Sequence, residues 1–294
     1  MPVDVQCIVP TQSLVGEGAV WDVGDAALWW VDIKADLIHK YDPASGKNFT
    51  YDFGEPVGCL ARRGKGGLIV AAKSGYYFYD PETDAREALF DPETDLPDNR
   101  FNDGATDSLG RFWAGTMKDG GGPAQRNGKF YRFDQDQKIT QHFDTFFTTN
   151  GLAFSPDGQT MYFSDSNANV QTIWACDYDT DTGTPSNRRV FFDTREVAGR
   201  PDGASVDSDG CYWMAGVSGW QLVRITPAGK VDRIIKMPIE KPTKPMFGGP
   251  NLETLYVTSI GAGCLDDPDQ PNAGGLFAVS GLGVTGFAQT RYKG

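Results

Sequence analysis

Apolar and aromatic residues in this chain come in short stretches separated by turn residues. One stretch reads Asn150-Gly151-Leu152-Ala153-Phe154, turns at Ser155-Pro156-Asp157-Gly158, resumes as Met161-Tyr162-Phe163-Ser164-Asp165-Ser166 and is followed by Thr172-Ile173-Trp174-Ala175-Cys176-Asp177-Tyr178. The plan recurs as Asp202-Gly203-Ala204-Ser205-Val206, Asp207-Ser208-Asp209-Gly210, Cys211-Tyr212-Trp213-Met214-Ala215 and Leu222-Val223-Arg224-Ile225. A third copy runs Asn102-Asp103-Gly104-Ala105-Thr106, Asp107-Ser108-Leu109-Gly110, Arg111-Phe112-Trp113-Ala114-Gly115 and Lys129-Phe130-Tyr131-Arg132-Phe133-Asp134. Shorter echoes begin at Glu17-Gly18-Ala19-Val20-Trp21, Gly58-Cys59-Leu60-Ala61-Arg62 and Lys244-Pro245-Met246-Phe247-Gly248. The Pro-Asp-Gly and Asp-Gly turns supply a preset φ at one position and a positive φ at the next.

Six copies recur at intervals of about 40–50 residues, a period that with four short strands per copy predicts a β-propeller, whose radial blades leave only short, protected edges. The expected fold is therefore all-β, a six-bladed β-propeller around a central channel, with residues 1–294 forming one domain. Closing the ring requires the two chain ends to share a blade, and the expected partners are Val5 to Val9 and Gly286 to Tyr292. Composition agrees, since 36 Gly and 18 Pro disfavour long helices.

Charge narrows the partners. With 27 basic and 39 acidic residues the formal net charge is −12, which repels phosphate backbones and anionic lipid, so neither nucleic acid nor membrane is expected as a partner. Met1-Pro2-Val3-Asp4 lacks the basic and apolar regions of a signal peptide, and a cytoplasmic location is expected. No long amphipathic segment offers a dimer seam, so a monomer is expected. The cysteines Cys7, Cys59, Cys176, Cys211 and Cys264 are odd in number and widely spaced, which fits neither a disulfide framework nor a thiolate zinc site. His39 and His142 are the only histidines, both in outer-strand or inter-blade patterns, and no Gly-x-Ser-x-Gly elbow is present. A Ser-His-Asp hydrolase is thereby disfavoured.

The start of each innermost strand faces the channel, so residues far apart in sequence converge there. The residue before the strand glycine is Glu17, Asp103, Asn150 or Asp202 in four copies, while the second and sixth offer Gly58 and the apolar Pro245 and Met246. Carboxylate and amide oxygens gathered on one axis make a hard-cation site. Asn and Asp are also common turn residues, so any one of them alone could simply satisfy its own backbone. Glu17 is harder to explain that way, because Glu is a poor turn former and sits between Gly16 and Gly18.

Further motifs carry a resemblance. Gly16-Glu17-Gly18-Ala19-Val20-Trp21, Arg100-Phe101-Asn102-Asp103-Gly104, Gly115-Thr116-Met117, Thr149-Asn150-Gly151-Leu152, Ser186-Asn187-Arg188-Arg189, Pro201-Asp202-Gly203, Phe247-Gly248-Gly249 and Ala273-Gly274-Gly275-Leu276-Phe277 together resemble the senescence marker protein/regucalcin/gluconolactonase family over residues 13 to 292. The resemblance implies a propeller with a central metal-binding channel that hydrolyses a small-molecule sugar lactone, an aldono-1,4- or 1,5-lactone. It implies one divalent cation (Ca²⁺, Zn²⁺, Mn²⁺, Mg²⁺ or Fe²⁺) held by Glu17, Asn150 and Asp202, and substrate contacts from Arg100 and Asn102. Asp103, which the repeat pattern favours, stays as a candidate behind Asn102. The chain departs from the family after Gly-Thr-Met, where Lys118-Asp119-Gly120-Gly121-Gly122 stands in place of an acidic pair. Asp119 is the expected substitute for the missing carboxylate, on a mobile lid. Asp202 is expected to double as ligand and general base. Two rival functions remain open at this stage: hydrolysis of phosphotriesters or other esters at the same metal, and a non-enzymatic calcium-binding regulator.

Overall fold

Each repeated unit folds into one four-stranded antiparallel sheet in the computed structural model, which describes every residue except Met1 and Gly121. The innermost strands are Gly16–Asp22 in blade I, Val57–Arg62 in blade II, Asn99–Thr106 in blade III, Thr149–Phe154 in blade IV, Arg200–Val206 in blade V and Pro242–Gly248 in blade VI. Inner strands of consecutive blades lie against one another, and blade VI returns to blade I, closing a ring. The protein is a six-bladed β-propeller. A 3₁₀ turn at Thr194–Glu196 is its only helical element among the described residues.

Alternation within the strands explains how the blades stack. Residues facing a neighbouring sheet are large and apolar, and they form six buried clusters, one at each junction between blades. Trp29 and Val31 of blade I, for example, pack on Val57, Leu68 and Val70 of the next sheet. Trp113 and Trp213 are fully buried in such junctions, as core residues. The turns at the far end of blades III and V follow one local design. Asp107 accepts the N–H groups of Leu109 and Arg111 at 3.0 and 2.9 Å, Asp207 accepts those of Asp209 and Cys211 at 3.0 and 2.9 Å, and Gly110 and Gly210 take φ of +82° and +81°.

The closing blade corrects one expectation. Asp4–Val9 pairs with Leu276–Ser280 to complete blade VI, whose other strands are Thr254–Ser259 and Pro242–Gly248. Gly286 to Tyr292 is not part of that sheet. Gly281 and Gly283, at φ +74° and +71°, turn the chain away after the last strand. The C-terminal segment then crosses the face opposite the polar strand starts: Ser208 N donates to Thr285 O at 2.8 Å, Gly286 N to Leu252 O at 2.8 Å and Tyr292 N to Arg62 O at 2.8 Å. Tyr292 ends fully buried between Phe78 and Phe133. A latch of this kind satisfies its backbone blade by blade, which is why its apolar positions imitate a strand without forming one.

Candidate active site

Every inner strand carries a register break at the same place. The pairing with the second strand slips between Glu17 and Val20, Val57 and Cys59, Phe101 and Gly104, Asn150 and Ala153, Pro201 and Ala204, and Pro242 and Pro245. A bulge re-aims the side chains beside it, and here it turns them into the channel. Positive φ at Gly18 (+60°) and Gly151 (+64°) allows the distortion in blades I and IV.

The bulges also show that the four repeat-equivalent residues are not at one level. Glu17 and Asn150 are the last paired residues before the break, Asn102 and Asp202 the first unpaired ones, and Asp103 and Lys244 the second. Asp103 and Lys244 therefore lie farther from the channel mouth, and they meet. Lys244 Nζ donates to Asp103 Oδ1 at 2.7 Å, Leu152 N donates to Asp103 Oδ2 at 2.8 Å, and the two side chains are 2% and 1% exposed. Both Asp103 oxygens are thus engaged inside the protein. Lys244 is a channel residue that the repeat reading passes over in favour of Pro245 and Met246; its only sequence signal is a Lys where the other copies place an acid. Gly203 leaves no space for a Cβ beside the Lys244 side chain, so its glycine character gives the ammonium its route to Asp103.

Above this pair Glu17 and Asp202 lie beside each other, and Asn150 is linked through Ser166 to Pro201 O next to Asp202, all three side chains buried. Burial raises the Glu17 carboxyl well above the usual range, and the nearby Asp202 and Asp103 charges raise it further. Asp202 is pushed up to about 7 by burial and by Asp103, and shares a hydrogen bond with Glu17. Asn150 is oriented by a relay: Ser166 Oγ donates to Pro201 O and so receives Asn150 Nδ2 at 2.7 Å. This leaves Asn150 Oδ1 buried with no partner. Two carboxylates that repel each other and one orphaned amide oxygen are a donor set suited to a hard divalent cation. The strand starts are themselves pinned. Asp32 accepts Leu14 N and Val15 N at 2.8 and 2.9 Å ahead of Glu17, and Asp165 accepts Phe147 N and Thr148 N at 2.9 and 3.2 Å ahead of Asn150.

The third group lies at the side of the mouth. Arg100 Nη1 donates to Asn102 Oδ1 at 2.7 Å and to Phe101 O at 2.8 Å, and Asn102 Nδ2 donates to Thr149 O at 2.8 Å. Asp119 reaches Arg100 Nε at 3.4 Å and takes Lys34 Nζ at 2.7 Å. Burial opposes ionisation of Asp119, but Lys34 and Arg100 together hold its carboxyl below the ordinary value. Arg100 Nη2 makes no hydrogen bond among the described residues. Of the expected lid, Gly121 alone lies outside the described residues.

The histidines lie elsewhere. His39 stacks on Trp30 with ring centroids 4.0 Å apart, His142 packs on Trp113 at 4.6 Å, and burial drives both down to about 4. Four of the five cysteines are buried, and all five are free thiols.

Known proteins resemble the chain along its whole length. A family profile described as "SMP-30/Gluconolactonase/LRE-like region" matches residues 15–261. The chain is 38% identical to a 6-deoxy-6-sulfogluconolactonase of Pseudomonas putida over 293 residues, and 36% identical to regucalcin of Xenopus laevis over 298 residues, covering 99% of each chain in both cases. A solved calcium-binding regucalcin from Agrobacterium tumefaciens superposes with a TM-score of 0.92 at 29% identity, covering 100% of this chain and 98% of that one.

Proposed function

Since the chain belongs to the SMP-30/gluconolactonase/LRE-like family and is a lactone hydrolase of the gluconolactonase type, we propose that it opens an aldono-1,4- or 1,5-lactone of a pentose or hexose acid with the help of one divalent cation. The orphaned Asn150 Oδ1 beside the Glu17 and Asp202 carboxylates carries this reading. Glu17, Asn150 and Asp202 would hold the cation, which supplies polarisation of an ester carbonyl and acidification of water.

The remaining work falls to the protein's own groups. Asp202 accepts the proton of the attacking water and returns it to the departing ring oxygen. Arg100 Nη2 and the second Nδ2 hydrogen of Asn102 are free to donate to sugar hydroxyls or to the oxyanion as it develops. Asn102 is held at both ends, by Arg100 and by Thr149 O, so it donates without reorganising. Asp119 fixes the Arg100 plane and draws Lys34 over the same side.

A panel of aldonolactones, read by pH indicator with chelator and with Ca²⁺, Mg²⁺, Mn²⁺, Zn²⁺ or Fe²⁺ restored, tests the proposal, with a phosphotriester run in parallel. The expected result is metal-dependent lactone turnover that Asp202→Ala abolishes and Asn102→Ala lowers about 10²–10³-fold, the effect of losing one oxyanion donor. Full activity in Asp202→Ala, or turnover of the phosphotriester alone, would falsify it.

A further inference from the structure

Arg200 starts the inner strand of blade V, two residues before Asp202. The register break after Pro201 leaves Arg200 paired with Val217 and Asp202 unpaired, and the Arg200 charge is close enough to Asp202 to lower its proton affinity. Blade III repeats the spacing, and there the arginine at the corresponding position, Arg100, does reach the residue two further on. The two arginines differ in what holds them. Arg100 has Asp119 beside it. Among the described residues Arg200 has no carboxylate within 4.0 Å, no aromatic ring under it and no hydrogen bond, and its Nε is buried without a partner. Among the described residues every other arginine has either an acidic partner or an aromatic face; Arg63, Arg126 and Arg188, which lack the acid, lie over Phe78, Phe147 and Trp174. That a chain of net charge −12 leaves this one guanidinium with neither a directly paired acid nor an aromatic face among the described residues sets it apart.

The backbone that carries Arg200 is closely packed. Gly199 has φ +82°, and a Cβ at Gly219 would stand 2.5 Å from Ala198 O and 2.7 Å from Gly199 N. Gln221 Nε2 donates to Ala198 O at 3.0 Å. The side chain keeps partial exposure, so a ligand in the mouth can reach it. A lactone settling there removes water from the guanidinium. A neutral sugar hydroxyl offsets that loss poorly, whereas an anionic oxygen pair offsets it well, in the bidentate geometry that guanidinium favours.

We propose that Arg200 is a specificity-determining residue that receives a negatively charged substituent, a carboxylate or sulfonate, carried by the lactone. The inference rests on the lactonase reading above and names the substrate class within it. Arg100 and Asn102 serve the sugar oxygens near the reacting carbonyl, and Arg200 selects for charge on the lactone's substituent.

The test compares D-glucaro-1,4-lactone with D-glucono-1,4-lactone, which differ by a carboxylate in place of the terminal hydroxymethyl group. Arg200→Gln is expected to lower the ratio of kcat/KM values, charged over neutral, by about 10–100-fold, the scale of one charge-assisted hydrogen-bond pair, and Arg200→Lys to keep most of it. Equal loss on both lactones, or loss on neither, overturns the proposal. Wild-type enzyme gives a second measurement if the variant does not fold: raising NaCl should increase KM for the charged lactone and leave that of the neutral one within twofold. An equal salt response overturns the proposal. A third arm separates this inference from the reading it rests on. If no lactone is turned over with any cation, the lactonase reading fails, and calorimetric titration with the D-glucarate dianion still judges Arg200. Roughly tenfold weaker binding in Arg200→Gln supports it, and equal binding, or none in either protein, refutes it.

Discussion

Lys244→Met gives the sharpest test of how the channel is held. The ammonium and its partner Asp103 are 2% and 1% exposed and 2.7 Å apart, with the Glu17 and Asp202 carboxyls close enough to feel both. Methionine keeps the length of the lysine stem and removes the charge, leaving Asp103 buried with Leu152 N as its one remaining donor. Breaking a buried pair from one side costs about 3–5 kcal/mol, because the abandoned charge stays dehydrated. For 294 residues, an unfolding entropy of about 2.1 cal/mol/K per residue makes this a fall in Tm of about 5–8 °C. Asp103→Asn is expected to cost a comparable amount by stranding the lysine. The double variant leaves neither charge of the pair, and its loss should be smaller than the sum of the single losses by about 3 kcal/mol. Urea unfolding followed by circular dichroism, in chelator, measures all four corners of the cycle. A Lys244→Met loss below about 1 kcal/mol, or additive single losses, would show that the pair does not carry the lower half of the channel.

Three further outcomes follow from the same geometry. Glu17→Gln should weaken Ca²⁺ or Mn²⁺ binding by about 100-fold or more in calorimetry, and acidification from pH 8 to 6 should weaken it in the wild type, since protons compete for carboxyls raised by burial and mutual repulsion; unchanged affinity in the variant would remove Glu17 from the cation site. Ser166→Ala releases the Asn150 amide from its relay and should cost about 10–100-fold in cation affinity while leaving the fold intact, whereas a silent substitution would mean that Asn150 is oriented by other contacts. His39 is held neutral by burial, its pKa lowered from 6.5 to about 4, so between these values the unfolded chain binds the extra proton and stability falls as pH falls. Going from pH 7 to 5, His39 should account for about 2 kcal/mol of lost stability that His39→Gln retains, and equal pH slopes in the two proteins would contradict the assignment.

Much of the architecture was legible in the chain. Four strands per copy, Gly-containing turns and junction-filling Trp and Phe residues are encoded between near neighbours, so the blade count follows from spacing alone. The scarcity and outer-strand placement of histidine were legible in the same way.

The bulge was not legible, and it decides the site. Sequence alignment treats Glu17, Asp103, Asn150 and Asp202 as one row, but the register break places them at three successive positions and sends Asp103 down the channel to Lys244. A shift of one residue in a strand reverses the face a side chain occupies, and no local pattern announces it. The closing strand and the C-terminal latch share this cause. Gly286 to Tyr292 reads as a strand, and only the backbone partners available after ring closure give that place to Leu276–Ser280 instead. Arg200 was silent for a related reason, since a missing partner becomes visible only when all the neighbours are in place. The sequence by itself determined the repeated unit, because its period is written in contacts between adjacent strands. Which polar groups meet, at what depth, and which charge is left uncompensated was settled by the closed ring, where residues more than a hundred positions apart are fixed within hydrogen-bonding distance.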